Sequence, residues 1–175
     1  MPELAVTAIG RDRPGIVAAV TGALLELGGN VEDSQMSILG GHFAVMLLVE
    51  IPRGTKREQV VERLAGVAEE LELEAVSVAE VGAGAETTRP SHVLSVYGAD
   101  QPGIVHSVAA TLAELGVNIT DLETKLAGGA NAPVYVMVVE VALGGASEGD
   151  VVAALSESGG PTVEVSLREL ETEAF

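Results

Sequence analysis

The chain repeats itself. Asp12-Arg13-Pro14-Gly15-Ile16-Val17 returns 88 residues later as Asp100-Gln101-Pro102-Gly103-Ile104-Val105. At the same offset Val20 matches Val108, Leu24 matches Leu112, Glu26-Leu27-Gly28 matches Glu114-Leu115-Gly116, Asn30 matches Asn118 and Asp33 matches Asp121. Twelve of the 27 positions from Asp12 to Ile38 are identical without a gap. In a chain of 175 residues this constrains the fold to two copies of one small module of about 80 residues. Residues 1–81 and 91–175 are the expected copies. Residues 82–90, small, polar and closed by Pro90, are the expected linker.

Each copy predicts the same elements. Leu4 to Ile9 and His92 to Tyr97 are short apolar strands. Pro14 and Pro102 suit a first helical turn, and Asp12 and Asp100 lie at or just before its cap. Ile16, Val20, Leu24 and Leu27 recur at spacings of four, four and three, one apolar helix face. Gly28 and Gly116 fall where a left-handed C-terminal cap is expected. Strands Asn30–Leu39 and Phe43–Ile51 follow, turning at Gly40-Gly41; their counterparts are Asn118–Leu126 and Val134–Leu143, turning through Gly128-Gly129. A polar helix over Lys56–Glu70 has a shorter counterpart over Glu148–Ser156. Last strands over Glu74–Val81 and Pro161–Leu167 close the copies. The fold class is α+β: two ferredoxin-like βαββαβ modules in tandem, with antiparallel sheets and helices on one face.

Two stretches go beyond that fold. Phe43 to Val49 and Val134 to Val139 are apolar at every position, although helices cover only one sheet face. The free face is expected to pack, copy on copy or chain on chain, which predicts a homo-oligomer.

Composition narrows the function. The net charge is -17, with -7 in the first copy and -10 in the second. Neither copy has a basic patch for phosphates, and aromatics are 2%, too few for base stacking. Nucleic acid and anionic membrane surfaces are therefore not expected as direct partners. The longest stretch without Asp, Glu, Lys or Arg, Ser34 to Val49, has sixteen residues, below the ~18 of a spanning helix. No signal peptide is visible, so the chain is expected to be cytoplasmic. There is no Cys, hence no disulfide or thiolate chemistry.

Catalytic and metal patterns are absent from the sequence. His106 and Ser107 are adjacent on a helix, where neighbouring side chains diverge. His42 and His92 begin strands and are expected at the surface or as caps. Glu69 to Glu74 reads as a solvated helix end rather than a metal site. No cofactor, no metal and no catalytic set are expected.

A strand, then Asp-x-Pro-Gly-Ile-Val opening a helix, then Leu-Gly-x-Asn-Val/Ile at the next strand, resembles the ACT domain, a small-molecule-sensing module, usually for amino acids. The resemblance spans both copies. Ala8 to Val17, followed by Asn30-Val31-Glu32-Asp33-Ser34 and Leu39-Gly40, is similar to the tandem-ACT family of glycine cleavage system transcriptional repressors. That resemblance implies a regulator acting on transcription through a protein partner, with glycine or serine as the favoured signal. The second copy departs from it, with Gln101 for Arg13 and Thr120-Asp121-Leu122 for Glu32-Asp33-Ser34. ACT modules resembling this one also precede the catalytic domain of formyltetrahydrofolate deformylases, so a regulatory piece of an enzyme is the alternative. A structural dimer with inactive sites is a third. The end of the chain at Phe175 is expected to leave no room for a catalytic domain.

The Asp-x-Pro-Gly loop has its own reason to hold an amino acid. The first N–H groups of a helix have no intrahelical partner and lie at the positive end of its dipole, so they suit a carboxylate. Gly15 and Gly103 carry no side chain to obstruct it. Asp12 or Asp100 can meet an ammonium, and the amide of Asn30 or Asn118 both donates and accepts. The expected ligand-binding residues are Asp12, Arg13, Pro14, Gly15, Ile16, Asn30 and Val31, and in the second copy Asp100, Gln101, Pro102, Gly103, Ile104, Asn118 and Ile119.

Overall fold

The computed structural model describes residues 2–82, 88–128, 134–159 and 163–170. The expected linker residues 83–87, Gly129 of the second hairpin turn, and Pro161 of the last strand lie outside these. The chain divides into two compact units, Met1–Ala85 and Glu86–Phe175.

The first unit runs β1 (Glu3–Arg11), α1 (Ile16–Glu26), β2 (Asn30–Leu39), β3 (His42–Glu50), α2 (Arg57–Glu70) and β4 (Ala75–Glu80). The second runs β5 (His92–Ala99), α3 (Ile104–Glu114), β6 (Asn118–Ala127), β7 (Val134–Ala142), α4 (Glu148–Gly159) and β8 (Val163–Glu169). Each forms a four-stranded sheet, ordered β2-β3-β1-β4 and β6-β7-β5-β8, with every neighbouring pair antiparallel. This is the ferredoxin-like arrangement that the element order predicts.

Alternation along the strands builds the cores. Leu4, Val6 and Ala8 of β1 and Phe43, Val45, Leu47 and Val49 of β3 pack with Ile16, Val20 and Leu24 of α1 and Val60, Leu64 and Val67 of α2. The second core repeats this with Leu94, Val96, Met137, Val139 and Val141 against Ile104, Val108, Leu112, Val151 and Leu155. The helix spacing of four, four and three is thus core packing. The other face of the first sheet presents Ala5, Thr7 and Ile9 beside Ala44, Met46 and Leu48. Met46 is 53% exposed and Ile9 41%, so the apolar run in β3 turns one face to the helices and leaves apolar side chains on the other.

Both first helices end alike. Gly28 and Gly116 take φ of 74° and 69°. The Gly28 N–H donates to Leu25 O and the Gly29 N–H to Leu24 O, both at 2.9 Å. Gly116 and Val117 repeat the pattern onto Ala113 and Leu112. This double closure satisfies the orphan carbonyls of the last turn, at a φ that disfavours any side chain. A β-bulge follows at the same place in each copy, at Glu32 and Thr120.

Four expectations need correction. Pro14 and Pro102 are not in the first helical turn, because α1 and α3 start at Ile16 and Ile104. Gly15 and Gly103 are the N-caps, at φ of 98° and 93°, and that left-handed step delays the helix past the proline. Asp12 supplies no side-chain cap hydrogen bond to α1, nor Asp100 to α3. His92 is buried, 8% exposed. Its Nδ1 lies 2.8 Å from the Ser91 hydroxyl and its Nε2 3.3 Å from Glu148 Oε1, joining the start of β5 to the start of α4. Finally, α4 runs to Gly159, three residues beyond the expected end. Ser147 caps it, accepting from the Asp150 N–H at 3.1 Å.

Candidate functional site

The Asp-x-Pro-Gly loops leave the central strands β1 and β5 and turn into α1 and α3. In the first module the Asp12 N–H donates to Gly41 O at 3.0 Å, tying the loop to the β2–β3 turn. The Ala19 N–H donates to Gly15 O at 2.9 Å, the first intrahelical bond. The N–H groups of Ile16, Val17 and Ala18 therefore have no intrahelical acceptor. In the second module Ser107 donates to Gly103 O at 2.8 Å, leaving Ile104, Val105 and His106 in that position. The side chains of Ile16 and Ile104 are buried; they anchor the loop to the core and do not face solvent.

Each loop borders a cleft. The first, about 490 Å³, is lined by Arg11, Asp12, Arg13, Leu71, Glu72 and Glu74. The second, about 300 Å³, is lined by Gln101, Pro102, Gly103, Ile104, Ser107, Val108, Ser158 and Val163. Their electrostatics differ. Two guanidinium groups and three carboxylates line the first, and Arg13 Nη1 lies 3.8 Å from Glu72 Oε2. Among the described residues, none that lines the second is charged. Its polar groups are Gln101 and the hydroxyls of Ser107 and Ser158, and Thr111 Oγ1 donates to Ser158 Oγ at 3.1 Å.

Asn30 is not brought to the loop within its own module. It pairs with Glu50, which also pairs with Glu3, at the end of the sheet where β1 begins. The loop leaves the opposite end, where Arg11 pairs with His42. Along β3 from His42 to Glu50 the separation is about 26 Å at ~3.3 Å per residue. The second copy behaves alike: Asn118 pairs with Ala142, while Ala99, just before the loop, pairs with Val134. Val31 and Ile119 sit beside those asparagines, away from the loops. A ligand the size of glycine reaches the loop or the asparagine of one module, not both.

The linings contain residues that sequence reasoning passed over: Arg11, Leu71, Glu72 and Glu74 in the first, Ser107, Ser158 and Val163 in the second. Antiparallel order carries the α2–β4 turn to the exit of β1, where the Glu74 N–H donates to Ile9 O at 2.9 Å. Among the described residues, no group of three or more His, Asp or Glu is placed to hold a metal ion. Nor is any helix long and apolar enough to cross a membrane.

These modules, a βαββαβ sandwich with a cleft at the β1–α1 loop, define a class of tandem ferredoxin-like domain proteins. Models of the ACT domain match residues 3–77 and 92–159, and the chain belongs to the ACT-domain family. A UPF0237 protein of Listeria monocytogenes is 39% identical over 69 residues, 39% of this chain and 78% of that relative. The glycine cleavage system transcriptional repressor of Escherichia coli is 44% identical over 46 residues, 26% of this chain and 24% of the repressor. Among solved structures, an unknown protein from Galdieria sulphuraria superposes with a TM-score of 0.80 at 31% identity, covering 97% of this chain and 99% of that one. A putative glycine cleavage system transcriptional repressor superposes at 0.70 with 18% identity, covering 98% of each chain, and shares the fold. The chain is therefore an ACT regulatory protein related to the glycine cleavage repressor.

Proposed function

We propose that this chain is a non-catalytic sensor that binds a small amino acid, glycine or serine first, at its Asp-x-Pro-Gly loops. It passes that state to a protein partner controlling transcription or metabolism. The observation that carries the reading is the recurrence in both modules of a left-handed glycine at the helix start with N–H groups behind it that lack an intrahelical acceptor, in a loop that lines a cleft through Asp12 and Arg13 in the first module and through Gln101 to Ile104 in the second. Those N–H groups suit a carboxylate, and the Asp12 carboxylate suits an ammonium. The identity with the Escherichia coli repressor supports a regulatory role.

The exposed apolar side chains on the helix-free face of the first sheet support a homo-oligomer, and the net charge of -17 supports action through a protein rather than on nucleic acid directly. Isothermal titration of the chain with glycine and serine tests the reading. Saturable heat is expected, and weakening by at least about tenfold in Asp12→Ala and Asp100→Ala together is the result that supports sites at the loops.

A further inference from the structure

We propose that Arg13 is the specificity-determining residue of the first module, receiving a ligand carboxylate, and that Glu72 is the residue that positions it. The second module, with Gln101 and an uncharged cleft, takes its ligand without a fixed cation. This rests on the loops being amino-acid sites and names what distinguishes one from the other.

Arg13 has hydrogen-bonding capacity to spare. A guanidinium carries five N–H donors in a planar fork that matches a carboxylate. Here its ion pair with Glu72 spans 3.8 Å, longer than a hydrogen bond. Its Nη2 is buried with no hydrogen-bond partner among the described residues. The rest of the side chain is partly exposed and lines the larger cleft, which leaves donors for an acceptor placed there.

Glu72 sits where the backbone favours glycine. Its φ is +49°, the only positive value for a non-glycine among the described residues. It follows α2 as Gly28 follows α1 and Gly116 follows α3, with the same closure: the Glu72 N–H onto Glu69 O and the Leu73 N–H onto Ala68 O. Two such ends use glycine; this one carries a glutamate under backbone strain. Burial does not explain it, since the side chain is 87% exposed. Its charged contact is Arg13. The carboxylate holds the guanidinium at the cleft, where its remaining donors can meet a ligand carboxylate.

The test is amide NMR of the full chain, titrated with glycine and with glycinamide, which lacks the carboxylate. Gly15 and Gly103 report the two loops separately. Expected are glycine-dependent shifts at Gly15, at least tenfold weaker in Arg13→Gln and severalfold weaker in Glu72→Gln and Glu72→Gly. Gly103 should titrate unchanged in all three variants, and glycinamide should leave Gly15 unmoved. Glu72→Gly should also raise the melting temperature, an effect that Glu72→Gln should lack. If glycine shifts Gly15 with wild-type affinity in all three variants, this proposal is overturned and the amino-acid reading stands. If neither loop responds to glycine or serine in the wild type, both are overturned.

Discussion

The backbone N–H of Asp12 lies 3.0 Å from the carbonyl oxygen of Gly41 and donates to it. The loop is thereby fixed to the hairpin turn by main chain, and the Asp12 side chain, exposed at the cleft, is left free of structural duty. Asp12→Ala should therefore leave thermal stability almost unchanged. It should weaken amino-acid binding at least about tenfold, roughly 1.4 kcal/mol, the loss of a charge-assisted hydrogen bond. Paired thermal melts and titrations check both halves; a large fall in melting temperature would mean the carboxylate is structural.

Gly15 takes φ of 98°, and a Cβ built there meets nothing within 4 Å. Gly15→Ala should therefore destabilise through backbone conformation alone, by about 1–2 kcal/mol. Gly103→Ala should do the same, since its φ is 93° and its surroundings are equally open. Urea unfolding measures this. Glycine is thus needed here for its φ and not for lack of room.

That distinction marks where the sequence stops being legible. The duplication and the two periodicities read directly into the eight strands and four helices of the described residues, because burial imposes those periods wherever a face meets a core. Pro14-Gly15 before Ile16 is compatible with a helix starting at the proline or after the glycine; only the φ of Gly15 decides, and no side chain reports it. The distance between Asp12 and Asn30 was legible but missed. In a strand–helix–strand unit the helix returns the chain to the end where the first strand began, so the start of β2 lies opposite the exit of β1. The burial of His92 depends on Ser91 and Glu148 meeting it across α4 and β5, a contact 56 residues apart that no local pattern announces.

The helices of the first module are joined by a pair with a pH signature. Arg63 Nε donates to Glu26 Oε2 at 2.7 Å. That hydrogen bond, and the charge behind it, hold the Glu26 carboxyl below its ordinary value and raise the Arg63 guanidinium. A carboxyl lowered on folding stabilises above its unfolded pKa and loses that contribution as pH falls through the folded value. The stability difference between wild type and Glu26→Gln should be small at neutral pH, since both groups are at the surface. It should vanish as the solution is acidified below the usual carboxylate range. Denaturation across that range checks it; a difference growing toward low pH would reverse the sign.

Met46 stands 53% exposed at the centre of the bare face of the first sheet, between Ala44 and Leu48 and opposite Thr7. If that face joins copies of the chain, sedimentation at tens of micromolar should show a dimer or larger even assembly. Met46→Glu should shift it toward smaller species, because a buried unpaired carboxylate opposes association. A wild-type monomer under those conditions would remove the interface from the account.

The most direct test of the central claim is calorimetric titration of the full chain with glycine. Glycine has five non-hydrogen atoms, and a ceiling of ~1.5 kcal/mol per atom limits binding to about 7.5 kcal/mol, a Kd no tighter than a few micromolar. The account predicts saturable binding with a Kd of tens of micromolar to millimolar, weakened at least about tenfold when Asp12→Ala and Asp100→Ala are combined. Wild-type affinity in the double variant, or no saturable heat with either glycine or serine, would contradict it.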